Sequence, residues 1–142
     1  MIKYDRLNLR PLRKEDSELL YKWITDRELC ILNAPYKPVS EMEHEGWMES
    51  MVLERSDLEI FVIEDMASSL AIGTCQLKKI DWRNRNAELQ IRIGDESFRG
   101  KGFGAKCIKM LVEFGFQDLN LHRISLEVYA TNQRAITTYL KC

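Results

Sequence analysis

Neither sign of charge is in excess. Twenty-one Lys and Arg against twenty-two Asp and Glu leave a net −1 over 142 residues, so no basic field exists to hold nucleic acid or an anionic membrane surface. Neither partner is expected. No stretch approaches the roughly 18 apolar residues that a membrane span requires, and Met1-Ile2-Lys3-Tyr4-Asp5 has no apolar run behind its charge, as a leader would. The expected location is cytoplasmic. Cysteine is sparse and scattered: Cys30, Cys75, Cys107 and Cys142 form no CxxC pair and no zinc spacing, so the thiols read as reduced and mostly buried and no metal is expected. The three prolines, Pro11, Pro35 and Pro38, fall in the first third, and no linker or repeat interrupts the chain. Residues 1–142 therefore read as one domain. The residues present, 45% hydrophobic and 30% charged, suit a soluble globular fold with a core and exclude a disordered or fibrous chain.

Leu7 to Leu12 alternates as a strand does, with Pro11 marking an edge strand or a strand end. A helix follows, with Glu15, Asp16 and Glu18 crowded into its first turn and Leu19, Leu20, Trp23 and Ile24 as its apolar stripe. Ser40 and Glu43 have capping-box spacing for a second helix, whose stripe is His44, Trp47, Met48, Met51 and Val52. Leu58 to Glu64 is β-rich and apolar on both faces, which predicts an interior strand. Ala71 to Ile80 is the next strand, and the turn at Asp81 to Asn86 returns the chain antiparallel into Ala87 to Ile93. In that strand Ala87, Leu89, Ile91 and Ile93 face one way and Glu88, Gln90 and Arg92 the other. Phe103, Cys107, Met110, Leu111 and Phe114 then mark an amphipathic helix, His122 to Tyr129 a further strand, and Thr131-Asn132 the cap of a last helix. The predicted order is β-α-α-β-β-β-α-β-α, an α/β fold with a mixed, mostly antiparallel sheet flanked by helices. The last two strands should be parallel neighbours, because a helix crosses between them.

Gly100, Gly102 and Gly104 alternate at the mouth of that amphipathic helix, exposing backbone N–H groups at its positive end. Arg99, Lys101 and Lys106 add cationic side chains, so the segment reads either as a pocket for a pyrophosphate or phosphate ester or as a flexible turn with solvated cations. A P-loop is excluded, because Lys101 is followed by Gly102 where Ser or Thr is required. A dinucleotide fingerprint would put Gly where Ala105 stands and would need a parallel sheet. An RNA-recognition strand beginning at Lys101 is broken by the helical continuation Ala105 to Ile108.

Arg99-Gly100-Lys101-Gly102-Phe103-Gly104 resembles the Arg/Gln-x-x-Gly-x-Gly/Ala pyrophosphate loop of the Gcn5-related N-acetyltransferases (GNAT). Asn132 to Cys142 is similar to that family's Asn-x-x-Ala-Ile-x-x-Tyr-x-Lys segment, at the place expected after the next strand. Ala87-Glu88-Leu89 and Leu119 to Arg123 also resemble the ribosomal-protein and small-amine acetyltransferase branch. The resemblance spans the whole chain and is most specific over residues 86–142.

The resemblance implies acetyl-CoA as the donor, bound by its pyrophosphate at Arg99, Gly100, Lys101, Gly102, Phe103 and Gly104. Its pantetheine arm would pair like an added strand with Ile91, Arg92 and Ile93, and Asn132 would contact the same arm. It also implies Tyr139 as the acid that protonates the departing sulfur, whereas plain helix packing is the alternative that spacing from Ile136 allows. Direct transfer to a primary amine then needs a neutral amine, a polarised thioester carbonyl and that proton. For the base, Glu88 is preferred over Glu127, with His44 and His122 as weaker candidates and surface roles open for all four. The acids Glu41, Glu43, Glu45 and Glu49 beside Trp47 would attract a cationic acceptor, or simply form a solvated helix face. Polyamine, amino sugar, aminoglycoside and protein N-terminus all remain open as acceptors. A catalytically silent CoA-binding regulatory module is the alternative to an enzyme, and a single-stranded RNA binder a second.

The family pattern continues past Lys141-Cys142 with Gly-Phe and two strands that this sequence does not contain. The expectation is a C-terminally incomplete domain whose strand at Ile124, Leu126 and Val128 has an uncovered edge. That edge predicts a homodimer, or a shortened form with impaired catalysis. A last helix folded over the edge in a monomer is the other outcome.

Overall fold

The computed structural model describes residues 2–26, 37–52 and 56–126. Its sheet runs β1 (Ile2–Tyr4), β2 (Leu7–Pro11), β3 (Glu59–Asp65), β4 (Leu70–Asp81), β5 (Asn86–Ile93) and β6 (Arg123–Ser125), in that spatial order. The first four pairings are antiparallel and β5 pairs with β6 in parallel. Helices α1 (Ser17–Ile24) and α2 (Glu41–Val52) connect β2 to β3, and α3 (Phe103–Glu113) makes the crossover from β5 to β6.

The interior strand, the hairpin and the parallel last pair are as the alternation predicts. One strand was not anticipated. Ile2-Lys3-Tyr4 pairs with Leu7 to Leu9, so β2 is flanked on both sides and Pro11 is only its terminal residue. Three residues are too few to show a period. The expected strand from His122 is observed from Arg123 to Ser125, with Ile124 and Leu126 packed against the core. Its continuation and the last helix lie outside the described residues.

Two β-bulges in β4 decide which residues reach which face. At Ile63/Glu64 the register jumps from Gly73 to Ala71, so Ile72 is the extra residue and turns inward, fully buried. The second jump, between Lys78 and Asp81, accompanies a left-handed Lys79 with φ 52°. An extra residue inverts the in/out alternation beyond it.

Leu7, Leu9, Phe61, Ile63, Cys75, Leu77 and Leu89 line one face of the sheet and bury the α3 stripe of Phe103, Cys107, Met110 and Leu111. The helix continues through a π-type turn at Phe114–Asp118. There Phe114 meets Phe61 edge-on at 5.2 Å, and a Cβ on Gly115 would stand 2.6 Å from Ile124 Cδ1. Burial raises both described thiols, Cys107 up to about 12 and Cys75 well above its usual value. Neither is a nucleophile at neutral pH. Cys30 and Cys142 lie outside the described residues.

Candidate acetyl-transfer site

The opposite face of the sheet is built from the even-numbered positions of β3, β4 and β5. Cross-strand partners put Ile60 beside Gln76 and Gln76 beside Gln90, and in the next rank Thr74 beside Arg92. Gln76 donates to Gln90 Oε1 at 2.7 Å. Helices α1 and α2 cross this floor and leave a cavity of about 390 Å³. Leu20, Trp23 and Ile24 of α1 form one wall, and Val39, Glu43, His44 and Trp47 the other.

Helix α2 enters the site through its cap. Ser40 Oγ accepts from the Glu43 N–H at 3.1 Å, half of the anticipated capping box, and its carbonyl accepts from the His44 N–H at 3.0 Å. Of the four acids on this helix only Glu43 lines the cavity. Glu45 instead accepts from Ser17 Oγ at 2.9 Å. His44 is 2% exposed, with its Nε2 2.8 Å from the Ser17 carbonyl. A carbonyl only accepts, so Nε2 carries the proton. Its ring lies 5.2 Å from Tyr21 and 5.9 Å from Trp47, and Tyr21 donates to the Val39 carbonyl at 2.9 Å. The ring thus joins α1 to α2, and its Nδ1 has no hydrogen-bond partner among the described residues. His122 is exposed just before β6.

Glu88 faces the same side as Gln90 and Arg92 but does not line the cavity. Lys78 Nζ stands 3.7 Å and Lys79 Nζ 3.4 Å from its carboxylate. The bulge at Lys79 is what brings two successive lysines to one acid. Tyr139, Asn132 and Glu127 lie outside the described residues.

On the edge of β5 away from β4, β6 pairs only with Asn86, Ala87 and Glu88. Among the described residues no strand pairs with that edge from Leu89 to Ile93. Past this edge the chain turns through Glu96–Phe98 into Arg99 to Gly102 and the first turn of α3. Gly100 and Gly102 have left-handed φ values of 72° and 84°, with nothing within 4 Å of where a Cβ would stand. The loop is therefore an open cradle whose shape favours glycine, and the leading N–H groups of α3 point into it without intrahelical acceptors.

Side chains in the loop are less available than their backbone. Arg99 donates from Nε to the Ile93 carbonyl and from Nη2 to the Gly94 carbonyl, each at 2.9 Å, and lies 3.8 Å from Glu96. Phe103 is buried, edge-on to Phe98 at 5.3 Å, with the Arg6 guanidinium 5.3 Å from its ring centre. Lys106 pairs with Asp5 at 2.7 Å. Lys101 remains exposed.

A cradle of backbone N–H groups stands beside an open strand edge, and among the described residues Glu43 is the one carboxylate lining the cavity on the α1–α2 face. The model of the acetyltransferase (GNAT) domain matches residues 6–142. The chain belongs to the GNAT acetyltransferase family. It is accordingly an N-acetyltransferase that draws its acetyl group from acetyl-CoA and delivers it to an amine. It is 31% identical over 139 residues to the spermidine N(1)-acetyltransferase of Vibrio cholerae, covering 96% of this chain and 78% of that protein. The same enzyme of Escherichia coli K12 is 30% identical over 139 residues, covering 95% and 70%. A crystal structure of the Vibrio cholerae enzyme with CoA and spermine superposes with a TM-score of 0.86 at 31% identity, covering 96% of this chain and 79% of that one.

The sequence had no signal for the cavity's glutamines or for Trp23 as a wall, since nothing local distinguishes a polar floor from a solvated face. Glu43 was within reach, being four residues before Trp47 and so on one side of the helix with it. Among the described residues no helix is long and apolar enough to cross a membrane.

Proposed function

We propose that this acetyltransferase acts on a primary amine of a small polyamine. The observation that carries the reading is the cavity itself, in which Glu43 is the one carboxylate and Arg92 the one permanent cation among the described lining residues. A carboxylate beside an aromatic wall suits an alkylammonium. A guanidinium at the other strand-borne side disfavours a protonated amine near it and so favours the neutral nucleophile. The names of the relatives point the same way. A dodecameric structure of the Vibrio cholerae spermidine enzyme matches with a TM-score of 0.80, which supports assembly of this chain into homo-oligomers as well.

Acetyl-CoA supplies an activated thioester. The β5 edge at Ile91, Arg92 and Ile93 holds its pantetheine amides through backbone groups. Gly100, Lys101, Gly102 and Gly104 hold its pyrophosphate, with Asn132 contributing to the arm. The amine nitrogen forms the new C–N bond as the C–S bond breaks, and the leaving thiolate takes the proton of the Tyr139 phenol. The proton lost by nitrogen leaves through water, and Glu88 is an indirect base for it, because it lies off the cavity with Lys78 and Lys79 near its carboxylate.

The experiment is CoA release with spermidine, spermine, putrescine, an amino sugar and an N-terminal peptide. Turnover on the polyamines alone is expected. Release with the sugar or peptide only would overturn the acceptor class, and acetyl-CoA binding without release would leave a silent binding module. Tyr139→Phe should lower kcat about 10²-fold with acetyl-CoA affinity unchanged, as for loss of a general acid. Equal turnover would assign Tyr139 to helix packing.

A further inference from the structure

Two glycines, Gly94 directly after β5 and Gly102 at the cap of α3, are required for opposite reasons. Gly102 has a left-handed backbone and open space around it. Gly94 has a neighbour instead: a Cβ there would lie 2.2 Å from Cδ2 and Cε2 and 2.4 Å from Nε1 of Trp23. The indole occupies the volume of the absent side chain.

Gly94 cannot withdraw from that contact. Its N–H donates to the Ile72 carbonyl at 2.8 Å, and the Asp95 N–H shares the same acceptor at 3.1 Å. Ile72 is the inward-turned bulge residue of β4, fixed in the core. From the other side Arg99 holds the carbonyls of Ile93 and Gly94. Trp23, 5% exposed, has this fixed backbone on one side and the cavity on the other. Since carbon atoms come no closer than about 3.5 Å, any side chain at position 94 must drive the ring more than about 1 Å, and the cavity is where space exists.

We infer that Trp23 is a specificity-determining wall of the amine pocket, that Gly94 is the notch that seats it, and that Arg99 is a positioning residue for the amine through Gly94. The inference rests on the polyamine-acetyltransferase reading for what the cavity holds. It gives Arg99 a role different from a pyrophosphate ligand, and it links the glycine loop mechanically to the acceptor side.

The test uses spermidine kinetics and acetyl-CoA calorimetry on the full chain. Gly94→Ala should raise KM for spermidine about tenfold while acetyl-CoA affinity stays within about twofold, as displacements near 1 Å at a reacting site do. Trp23→Leu should itself raise the spermidine KM, and Gly94→Ala added to it should raise it little further, because no indole is left to displace; Arg99→Gln should raise the spermidine KM about threefold. An unchanged KM in Gly94→Ala, or a double variant whose effects simply multiply, overturns the inference, as does an Arg99→Gln variant altered in acetyl-CoA affinity alone. If Gly94→Ala does not fold, the double variant should, and its failure to do so also overturns the notch. A readout free of turnover is the emission of Trp23 with Trp47 and Trp82 replaced by Phe, which should move to longer wavelength in Gly94→Ala. Unmoved emission overturns the notch. A shifted emission in a protein that acetylates no polyamine overturns only the reading of its substrate.

Discussion

The two faces of the sheet are built on different physics. Toward α3 the contacts are apolar and dry, from Leu7 and Leu9 across Leu77 to Leu111, each fully buried. Toward α1 and α2 the same strands present amides, a threonine and charges. Arg10 is buried there, donating to Asp16 Oδ1 at 2.7 Å and Oδ2 at 2.9 Å and to Glu64 at 2.7 Å, and the cavity walled by Trp23 and Trp47 opens on the same face. Close packing of one face supplies stability without direction. The polar face gives up part of that stabilisation to hold groups at fixed places around an open space. Substitutions on the two faces should therefore fail differently.

The largest expected effect is on the dry face. Leu111→Ala removes a side chain with no exposure and should cost about 4 kcal/mol of unfolding free energy, the transfer and cavity contributions together. Below the lowered melting temperature, KM for amine and acetyl-CoA should stay at wild-type values. A changed amine KM with a small thermal shift would mean that the α3 face shapes the pocket, and the contrast between the faces would fail.

On the polar face the corresponding break is Asp16→Asn. Burial alone would raise the Asp16 pKa, but hydrogen bonds from Arg10 and from the Arg13 N–H, at 2.8 Å, hold it below the usual value. Glu64, likewise against its own burial, is held down by Arg10 and Asn8. Removing the Asp16 charge leaves the buried Arg10 guanidinium with Glu64 as its one carboxylate and should cost about 3 kcal/mol. The pH dependence carries the sign. A carboxylate depressed in the folded state contributes fully above its unfolded pKa near 4 and loses that contribution as pH falls through the folded value. The wild type should therefore lose stability below about pH 4 more steeply than Asp16→Asn, measured by urea unfolding across that range. Parallel acid limbs would show that the Arg10 cluster carries no net charge coupling.

The same contrast explains what the sequence discloses. The dry face repeats with a period: Ala87-Glu88-Leu89-Gln90-Ile91 alternates, and Phe103, Cys107, Met110 and Leu111 recur on one side of a helix, so strand, helix and parallel crossover are all legible. The glycine loop is legible too, because alternating glycines at a helix mouth are a local pattern. The polar face depends on distant partners. Asp16 reads as a dipole-favoured acid in a first helical turn, whereas the chain forms a 3₁₀ turn at Lys14–Asp16 and turns it onto Arg10. Glu88 reads as a free base until the bulge at Lys79 brings two lysines to it. Gly94 reads as the end of a strand, since its requirement comes from an indole seventy-one residues earlier in the chain. Tyr139 and Asn132 stand on motif alone.

The smallest expected effect separates the two requirements for glycine. At Gly102 the backbone is left-handed, φ 84°, with no atom within 4 Å of a Cβ, so Gly102→Ala should cost about 1 kcal/mol from backbone strain alone. Asn enters that conformation more readily than Ala, and Gly102→Asn should regain much of the stability. If the cradle holds a pyrophosphate, the recovered fold will not recover binding, because the Asn side chain stands in the space the phosphates use. Calorimetry should then show acetyl-CoA affinity about tenfold weaker in Gly102→Asn, a loss of about 1.4 kcal/mol, despite a nearly normal melting temperature. Affinity that rises and falls with stability through Gly, Asn and Ala would make Gly102 a conformational hinge outside the donor site. It would also leave the helix mouth as an ordinary turn, with Gly94 the one glycine of the pair that position 102 and position 94 form whose replacement reaches the chemistry.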